Sequence, residues 1–303
     1  MIDKSLKKTF QRIFDPLPIH QTTIGFNPNF YIKLLRYISR LLIMIFGLHG
    51  RSRFSNEFIQ MLDPKIEMMV SGVGRIVLRT GHGRLLWRAK TIETEEPMMG
   101  RWLATFTDKD CFYDVGANIG SYSIIAAKKG ARVFSFEAEI NNLQLLYENA
   151  FLNDVIENIM PIHIALHDET AIQNFFVRSF SKGDALHSIS RPSIYLENFK
   201  GFKISTLSMR LDDIIDTFGL PYPTRLKIDV DTNELNILKG ANRALEICKE
   251  VYIELYLNFQ EHQVILDFMK DKGFKPVDQE KDYRPFMEGM VNVLFRKQNS
   301  SDS

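Results

Sequence analysis

The sequence predicts a doubly wound α/β sheet with a C-terminal antiparallel hairpin, filling most of a 303-residue chain behind a basic helical and hairpin region. Three observations carry this expectation. From Cys111 onward, short apolar runs alternate with helix-period segments, the pattern of a parallel sheet covered on both faces. The first run ends in a turn with glycine at 116 and 120 that opens a helix. The last two runs, Phe274 to Val277 and Val291 to Arg296, are joined by a polar loop without helical period and should pair antiparallel.

In chain order, residues 1–94 read as the N-terminal region and 95–298 as the α/β domain. Lys4, Lys7, Lys8 and Arg12 recur at helical spacing beside Leu6, Phe10, Ile13 and Phe14, so a basic amphipathic helix is expected there, ended by Pro16 and Pro18. A second is expected over Phe30 to Phe46. Arg75 to Arg79 and Arg84 to Arg88 flank Gly81-His82-Gly83 and read as a hairpin. In the main domain, strands are expected at Phe112 to Val115, Arg132 to Glu137, Ile159 to Leu166, Leu226 to Val230 and Glu250 to Leu257. Helices are expected at Ser121 to Lys129, Asn141 to Leu152, Glu234 to Leu245 and Val264 to Lys272. Between about 168 and 225 the alternation breaks, apart from a short strand at Asn174 to Val177, and the segment reads as a lid-like insertion.

Composition excludes disordered and fibrous classes, since 45% of residues are hydrophobic and 25% charged. Cys111 and Cys248 lie in apolar runs and supply neither a disulfide framework nor a metal site. The apolar run at Leu41 to Phe46 is too short to span a bilayer, and no signal peptide is read at the N-terminus, so a cytoplasmic location is expected. Charge is uneven. Residues 1–90 carry 15 Lys and Arg against 5 Asp and Glu, whereas residues 91–303 carry 23 against 32. A basic helical region of this kind suits peripheral contact with an anionic membrane surface, while the acidic remainder disfavours a nucleic-acid partner.

The chemistry concentrates at strand ends. Asp114-Val115-Gly116-Ala117-Asn118-Ile119-Gly120 places two glycines where a backbone can approach a ligand, and a carboxylate that suits the ammonium of a methionine moiety but would repel a pyrophosphate. Glu137 follows Gly116 by 21 residues and can accept both hydroxyls of a ribose. Taken singly, each of these is a turn glycine or a solvated strand end. In register with β-α-β they point to a nucleoside cofactor. Asp229, in an apolar strand at its C-terminal edge, must face the cleft or be neutralised, and Glu254 stands in the same position on the next strand. Asp231 and Glu234 fit a capping spacing for the following helix. His163, His187 and His262 are weaker candidates.

FYDVGANIGSYSIIAAKKGARVFSFEA, LKIDVDTNELNILKGA and VYIELYL together resemble the FkbM family of S-adenosylmethionine (SAM)-dependent methyltransferases, over roughly Glu95 to Phe295. The resemblance implies a class I methyltransferase fold, SAM as cofactor, and methylation of a hydroxyl on a sugar, glycolipid or natural product. It also implies that Asp114, Gly116, Asn118, Gly120 and Glu137 bind the cofactor. Asp229 and Glu254 are the candidates for catalysis, as general base for the acceptor hydroxyl. One departure stands out: where the family usually reads KIDVEG, this chain has Lys227-Ile228-Asp229-Val230-Asp231-Thr232. A glycine held at positive φ there would make threonine strained. The rival readings are a nucleotide-dependent oxidoreductase, disfavoured by the missing glycine triplet, and a SAM-binding or membrane-surface scaffold without catalysis. Nucleic-acid methylation is disfavoured because Asp231-Thr232-Asn233 stands where an N-P-P-Y-like motif would be.

Overall fold

The computed structural model describes residues 37–38, 65–79, 96–192, 199–231, 233–256, 261–281 and 289–298. The chain divides into two units, Met1–Leu62 and Asp63–Ser303. In the first, Tyr37 and Ile38 are described, and both are helical and exposed. The rest of the two N-terminal helices expected from sequence lies outside the described residues. So do the Gly81-His82-Gly83 turn and the strand expected at 84–88.

The second unit opens with a hairpin of β1 (Lys65–Val70) and β2 (Gly74–Arg79). The strand expected at Arg75 to Arg79 therefore forms, but its described partner precedes it: Gly72 and Gly74, both at positive φ, make the turn. Next come α1 (Pro97–Ala104), β3 (Cys111–Val115), α2 (Ser121–Lys128), β4 (Arg132–Phe136), α3 (Ile140–Leu152) and β5 (Ile159–Ile162). The chain continues through β6 (Ala165–Leu166), β7 (Ala171–Val177), β8 (Ser188–Ile189), β9 (Phe202–Met209) and α4 (Leu211–Phe218). It ends with β10 (Arg225–Ile228), α5 (Glu234–Lys239), α6 (Asn242–Ile247), β11 (Glu250–Tyr256), α7 (Glu261–Asp271), β12 (Phe274–Lys281) and β13 (Met290–Lys297).

Seven strands form the main sheet in the order β12-β13-β11-β10-β3-β4-β5. The pairs from β11 through β5 are parallel, and β13 joins β11 and β12 antiparallel, as the polar loop between the last two runs leads one to expect. Alternation along each strand feeds two cores. Phe112, Val133 and Tyr252 pack with α1, α2, α3 and the hairpin on one face. Tyr113, Val115, Phe134 and Ile228 pack with α4 to α7 on the other. This is the class I methyltransferase, Rossmann-like architecture.

Three expected elements take a different form. The third strand stops at Ile162, where Ile164 N–H bonds back to the Ile162 carbonyl, and Ala165–Leu166 moves to a second sheet of order β6-β9-β7-β8. His163 thus lies at a turn rather than inside a strand. The helix expected at Glu234 to Leu245 splits in two because Asp212, from α4, accepts hydrogen bonds from Arg243 N and Ala244 N at 2.9 and 3.0 Å and so caps α6 as a new helix. The insertion is not a bare loop: β7, β8, β9 and α4 give it a sheet and a helix of its own.

Hydrogen bonding fixes the hairpin to α3. Asn153 accepts from Val77 N through Oδ1 at 2.9 Å and donates to Val77 O through Nδ2 at 2.6 Å, standing in for a neighbouring strand. Asn149 accepts from Arg79 N at 2.8 Å and donates to Ile119 O at 3.0 Å, linking hairpin, α3 and the turn before α2. Asn153→Ala leaves both Val77 groups without this partner and should destabilise the protein by about 2 kcal/mol. Urea denaturation will show this as a lower midpoint at unchanged slope; an unmoved midpoint refutes the docking role.

Candidate active site

The alternation that sends Tyr113 and Val115 to one face of β3 sends Asp114 to the other. Strand register then sets Ser135, Asp114, Lys227 and Tyr252 side by side across β4, β3, β10 and β11. Lys227 is almost fully buried. Its Nζ lies 3.2 Å from Asp114 Oδ1, 3.2 Å from Asp229 Oδ2 and 3.5 Å from the Gly116 carbonyl. Ser123, from α2, donates to Asp114 Oδ2 at 2.6 Å. Burial alone would lower its pKa, but Asp229 and Asp114 outweigh it and raise the pKa above the ordinary value.

The turn after β3 needs its glycines for packing within the protein. Gly116 has φ of +74°, and a Cβ there would lie 1.9 Å from the carbonyl oxygen of Asp229. Gly120 has φ of +82°, and its Cβ would meet Leu146 of α3 at 2.7 Å. The sequence suggested that both glycines make way for a ligand; within the protein, the nearest neighbours of a Cβ at these positions are the end of β10 and the side of α3. Between them Asn118 has φ of +50°, a conformation asparagine tolerates. Its N–H donates to Glu137 Oε2 at 2.8 Å and its Nδ2 to the Asp184 carbonyl at 2.9 Å.

A cavity opens at the C-terminal ends of β3, β4, β10 and β11, the position at which open α/β sheets bind ligands. Of the residues expected from sequence, Gly116, Asn118, Glu137, Asp229 and Glu254 line it. Asp114 and Gly120 do not. Asp114 is wholly buried and turned toward Lys227 and Ser123. Glu137 accepts N–H bonds from Asn118 and Glu139, both at 2.8 Å, yet burial pushes its pKa up to about 7. Glu254 is raised well above the carboxylate range, first by burial and then by the negative charges of Asp229, Glu96 and Asp231. Repulsion from the Asp229 carboxylate favours the protonated form of Glu254.

The insertion closes over this cavity through 184–187. Asn142 takes Gly183 N–H at 2.6 Å on its Oδ1 and gives its Nδ2 to the Asp184 carbonyl at 3.1 Å, while Arg178 pairs with the Asp184 carboxylate. Asp231 accepts from Leu186 N at 2.9 Å, which ties the insertion to the segment after β10, and the N-cap position of α5 falls on Asn233. The positive φ in that loop, +56°, falls on Asp231, whereas Thr232 lies outside the described residues. His187 lines the cavity, and its Nδ1 accepts from Arg178 N at 3.1 Å, which places the proton of a neutral ring on Nε2. His163 and His262 are not among the lining residues.

Lys227 and Glu96 were missed by sequence reasoning and both line the cavity. A lysine between Leu226 and Ile228 in an apolar strand is as anomalous as the aspartate that follows, and that signal was there to be read. Glu96 gave none, because the helix it precedes was not recognised.

Gly116→Ala combines left-handed strain with a clash against backbone, so a loss of about 3 kcal/mol or more is expected. Gly120→Ala should be milder, since its obstacle is a leucine side chain that can shift. Thermal unfolding of the two variants checks the order; equal melting temperatures for Gly116→Ala and the parent protein contradict the contact.

Comparison with known proteins places this geometry. A family model described as Methyltransferase FkbM domain matches residues 114–276, more than half of the chain. Hexuronic acid methyltransferase AglP of Haloferax volcanii is 26% identical over 171 residues, 56% of this chain and 66% of that protein. Methyltransferase sdnD of Sordaria araneosa is 22% identical over 216 residues, 63% of this chain and 83% of that one. Among solved structures, Methyltransferase FkbM from Methylobacillus flagellatus KT aligns with a TM-score of 0.43 at 19% identity, over 62% of this chain and 44% of that one. The chain thus spans just under two thirds of AglP and less than half of the FkbM crystal chain. On the extent of the family match, from the strand that carries Asp114 into β12, the chain belongs to the FkbM methyltransferase family.

Proposed function

We propose that this protein transfers a methyl group from SAM to a hydroxyl of a small molecule, with a sugar, glycolipid or natural product as acceptor. The observation that carries the reading is the pair of carboxyl groups, Asp229 and Glu254, that lines the cavity at the mouth of the parallel strands while Lys227 lies 3.2 Å from Asp229. The residues fit the cofactor. Glu137 presents a carboxylate oriented by two backbone N–H groups, which suits ribose hydroxyls, and the acidic lining suits a ligand with cationic groups. The name of AglP supports a carbohydrate acceptor.

When bound, SAM supplies an activated methyl on a cationic sulfur, and the protein is left to orient the acceptor, exclude water and take a proton. Asp229 is the base in this reading. Its side chain is about one-third exposed and lines the cavity, and Glu254 beside it favours its protonated form, which leaves Asp229 to take the incoming proton. The acceptor hydroxyl gives that proton to Asp229 as its oxygen takes the methyl. Lys227 keeps Asp229 in place and moderates its charge. His187 is a donor in its neutral form and is not used as base.

Two tests follow. Radiolabelled methyl transfer from SAM to a panel of hydroxylated sugars and glycolipids should give product with the parent protein. Asp229→Asn should lower kcat by about 100-fold or more while SAM affinity stays within a few-fold. Full turnover by that variant removes Asp229 from the chemistry, and absence of transfer to every acceptor in the panel counts against hydroxyl methylation.

Affinity for SAM should also depend on pH through Glu137. Ribose hydroxyls donate to the ionised carboxylate, so binding favours loss of the Glu137 proton, whose pKa burial pushes up to about 7. Affinity should therefore rise with pH through about 7 and fall below it, by at most about tenfold per pH unit. Glu137→Gln should flatten the profile between pH 6 and 8 in calorimetric titrations; an equally steep profile in the variant assigns the dependence elsewhere.

A further inference from the structure

One loop of the insertion serves two surroundings: Asp184 to His187 line the cavity, while Phe180, a few residues earlier, is left half exposed. We propose that the tip of the insertion, formed by Phe180, Lys182, Lys200, Phe202 and Lys203, docks on an anionic lipid surface. The inference goes beyond the methyl-transfer reading and holds whichever ligand fills the cavity.

The tip is built where β7 ends and β9 begins. Phe202 stands opposite Val177, the last residue of β7, and Lys203 opposite Phe176, so apolar and basic side chains leave the strand end in succession. The Phe180 ring lies against Phe202 with centroids 5.0 Å apart, yet the two remain 50% and 52% exposed. Neither is loosely held. The loop that carries Phe180 is closed on itself: Asp184 accepts from Ser179 Oγ and pairs with Arg178, and His187 Nδ1 accepts from Arg178 N at 3.1 Å. On the other side, Gly201 runs so close to the end of β7 that a Cβ there would collide with the Val177 carbonyl, and Phe199 packs edge-on against Phe176 at 5.6 Å. Both exposed rings are thus in place before a partner arrives, and little ordering entropy opposes their burial.

The charge of the tip is opposite to that of the domain around it. Residues 178–203 carry five Lys and Arg against two Asp and Glu, whereas residues 91–303 as a whole carry 23 against 32. One of the two acids, Asp184, is buried against Arg178. Lys200 and Lys203 are exposed, and among the described residues neither enters an ion pair; Lys182 reaches Glu148 at 3.5 Å. A bilayer interface answers both features at once, because acidic head groups attract the lysines and the acyl boundary takes the rings. An acidic polar surface satisfies the lysines but leaves the phenylalanines in water. An apolar groove takes the rings but gains nothing from the lysines. Docking on lipid sets the loop that walls the cavity against the head groups.

Co-sedimentation of the full chain with vesicles of phosphatidylcholine alone, and of phosphatidylcholine mixed with phosphatidylserine, tests the assignment. Two double variants are compared with the parent: Phe180→Ser with Phe202→Ser, and Lys200→Glu with Lys203→Glu. The parent should bind the mixed vesicles in a salt-sensitive manner and leave the neutral ones free. A basic residue near such a surface strengthens binding about fivefold, so reversing two charges should weaken it by about tenfold or more. Loss of the two rings should weaken it by about tenfold as well. All four positions are exposed, and melting temperatures should match that of the parent. Phe202→Trp reads position directly, and decides the matter if the serine variant melts early. Phospholipids brominated along their acyl chains should quench its emission beyond what they do to the parent's two tryptophans. Absence of parent binding to the mixed vesicles, equal binding to both vesicle types, full binding by either double variant, or no added quenching in Phe202→Trp overturns the assignment. Full binding by both double variants moves the contact to another surface, and binding of a single-stranded oligonucleotide without binding of vesicles replaces lipid by nucleic acid.

Discussion

A buried lysine is the constraint on which the rest of the site depends. Lys227 is held on the face of β10 beneath α2, out of water, and an ammonium there is tolerable only with compensating charge. Asp114 and Asp229 supply it from β3 and from the end of β10 itself, each at 3.2 Å. Ser123 and Ser135 then bond one another at 2.7 Å, with Ser123 also on Asp114, so the polar row is satisfied from the helix above as well as from the neighbouring strand. Removing one member would strand the charge of another, which makes the row rigid. Asp229 is the one member that is partly open to the cavity, and its position is thus determined by an ion triad rather than by loop packing.

The turn above that row is built to the same tolerance. Gly116 brings the β3 turn against the Asp229 carbonyl, and Gly120 brings the start of α2 against α3. Both contacts use the space that a Cβ would take. Asn118 and Asn142 then reach the Asp184 carbonyl from two elements, while Asp231 takes Leu186 N, so the insertion is tied to the β3 turn, to α3 and to the segment after β10 at once.

The opposite end of the sheet is devoted to stability. Glu250, at the start of β11, is buried and accepts from Trp102 Nε1 and Arg296 Nε, both at 2.7 Å, and pairs with Arg225. Arg225 also reaches Asp110 at 3.0 Å and lies over the Phe106 ring. Trp102 stacks on Tyr252 at 5.5 Å between ring centres, so α1 is clamped to the sheet near its C-terminal end while Glu96 projects at its N-terminal end. One short helix therefore joins the stability network to the cavity.

Much of this was legible in the sequence, for a physical reason. Apolar periodicity and turn glycines are local properties, and they determined the order of strands and helices, the turn at Gly116 to Gly120, the antiparallel ending, and the positions of Glu137, Asp229 and Glu254 at strand ends facing the cavity. The direction of a side chain and its partner are decided between segments distant in the chain, and those only the tertiary structure settled. Parity on β3 turned Asp114 inward, and the register of β10 against it made Lys227 its counter-charge. Asp212 split a helix that the sequence reads as continuous, and Asp231 tied the insertion to the segment after β10. Glu96 lines the cavity at the start of a helix whose Met98 N–H is taken by Glu280 of β12, a contact that no pattern within residues near 96 could announce.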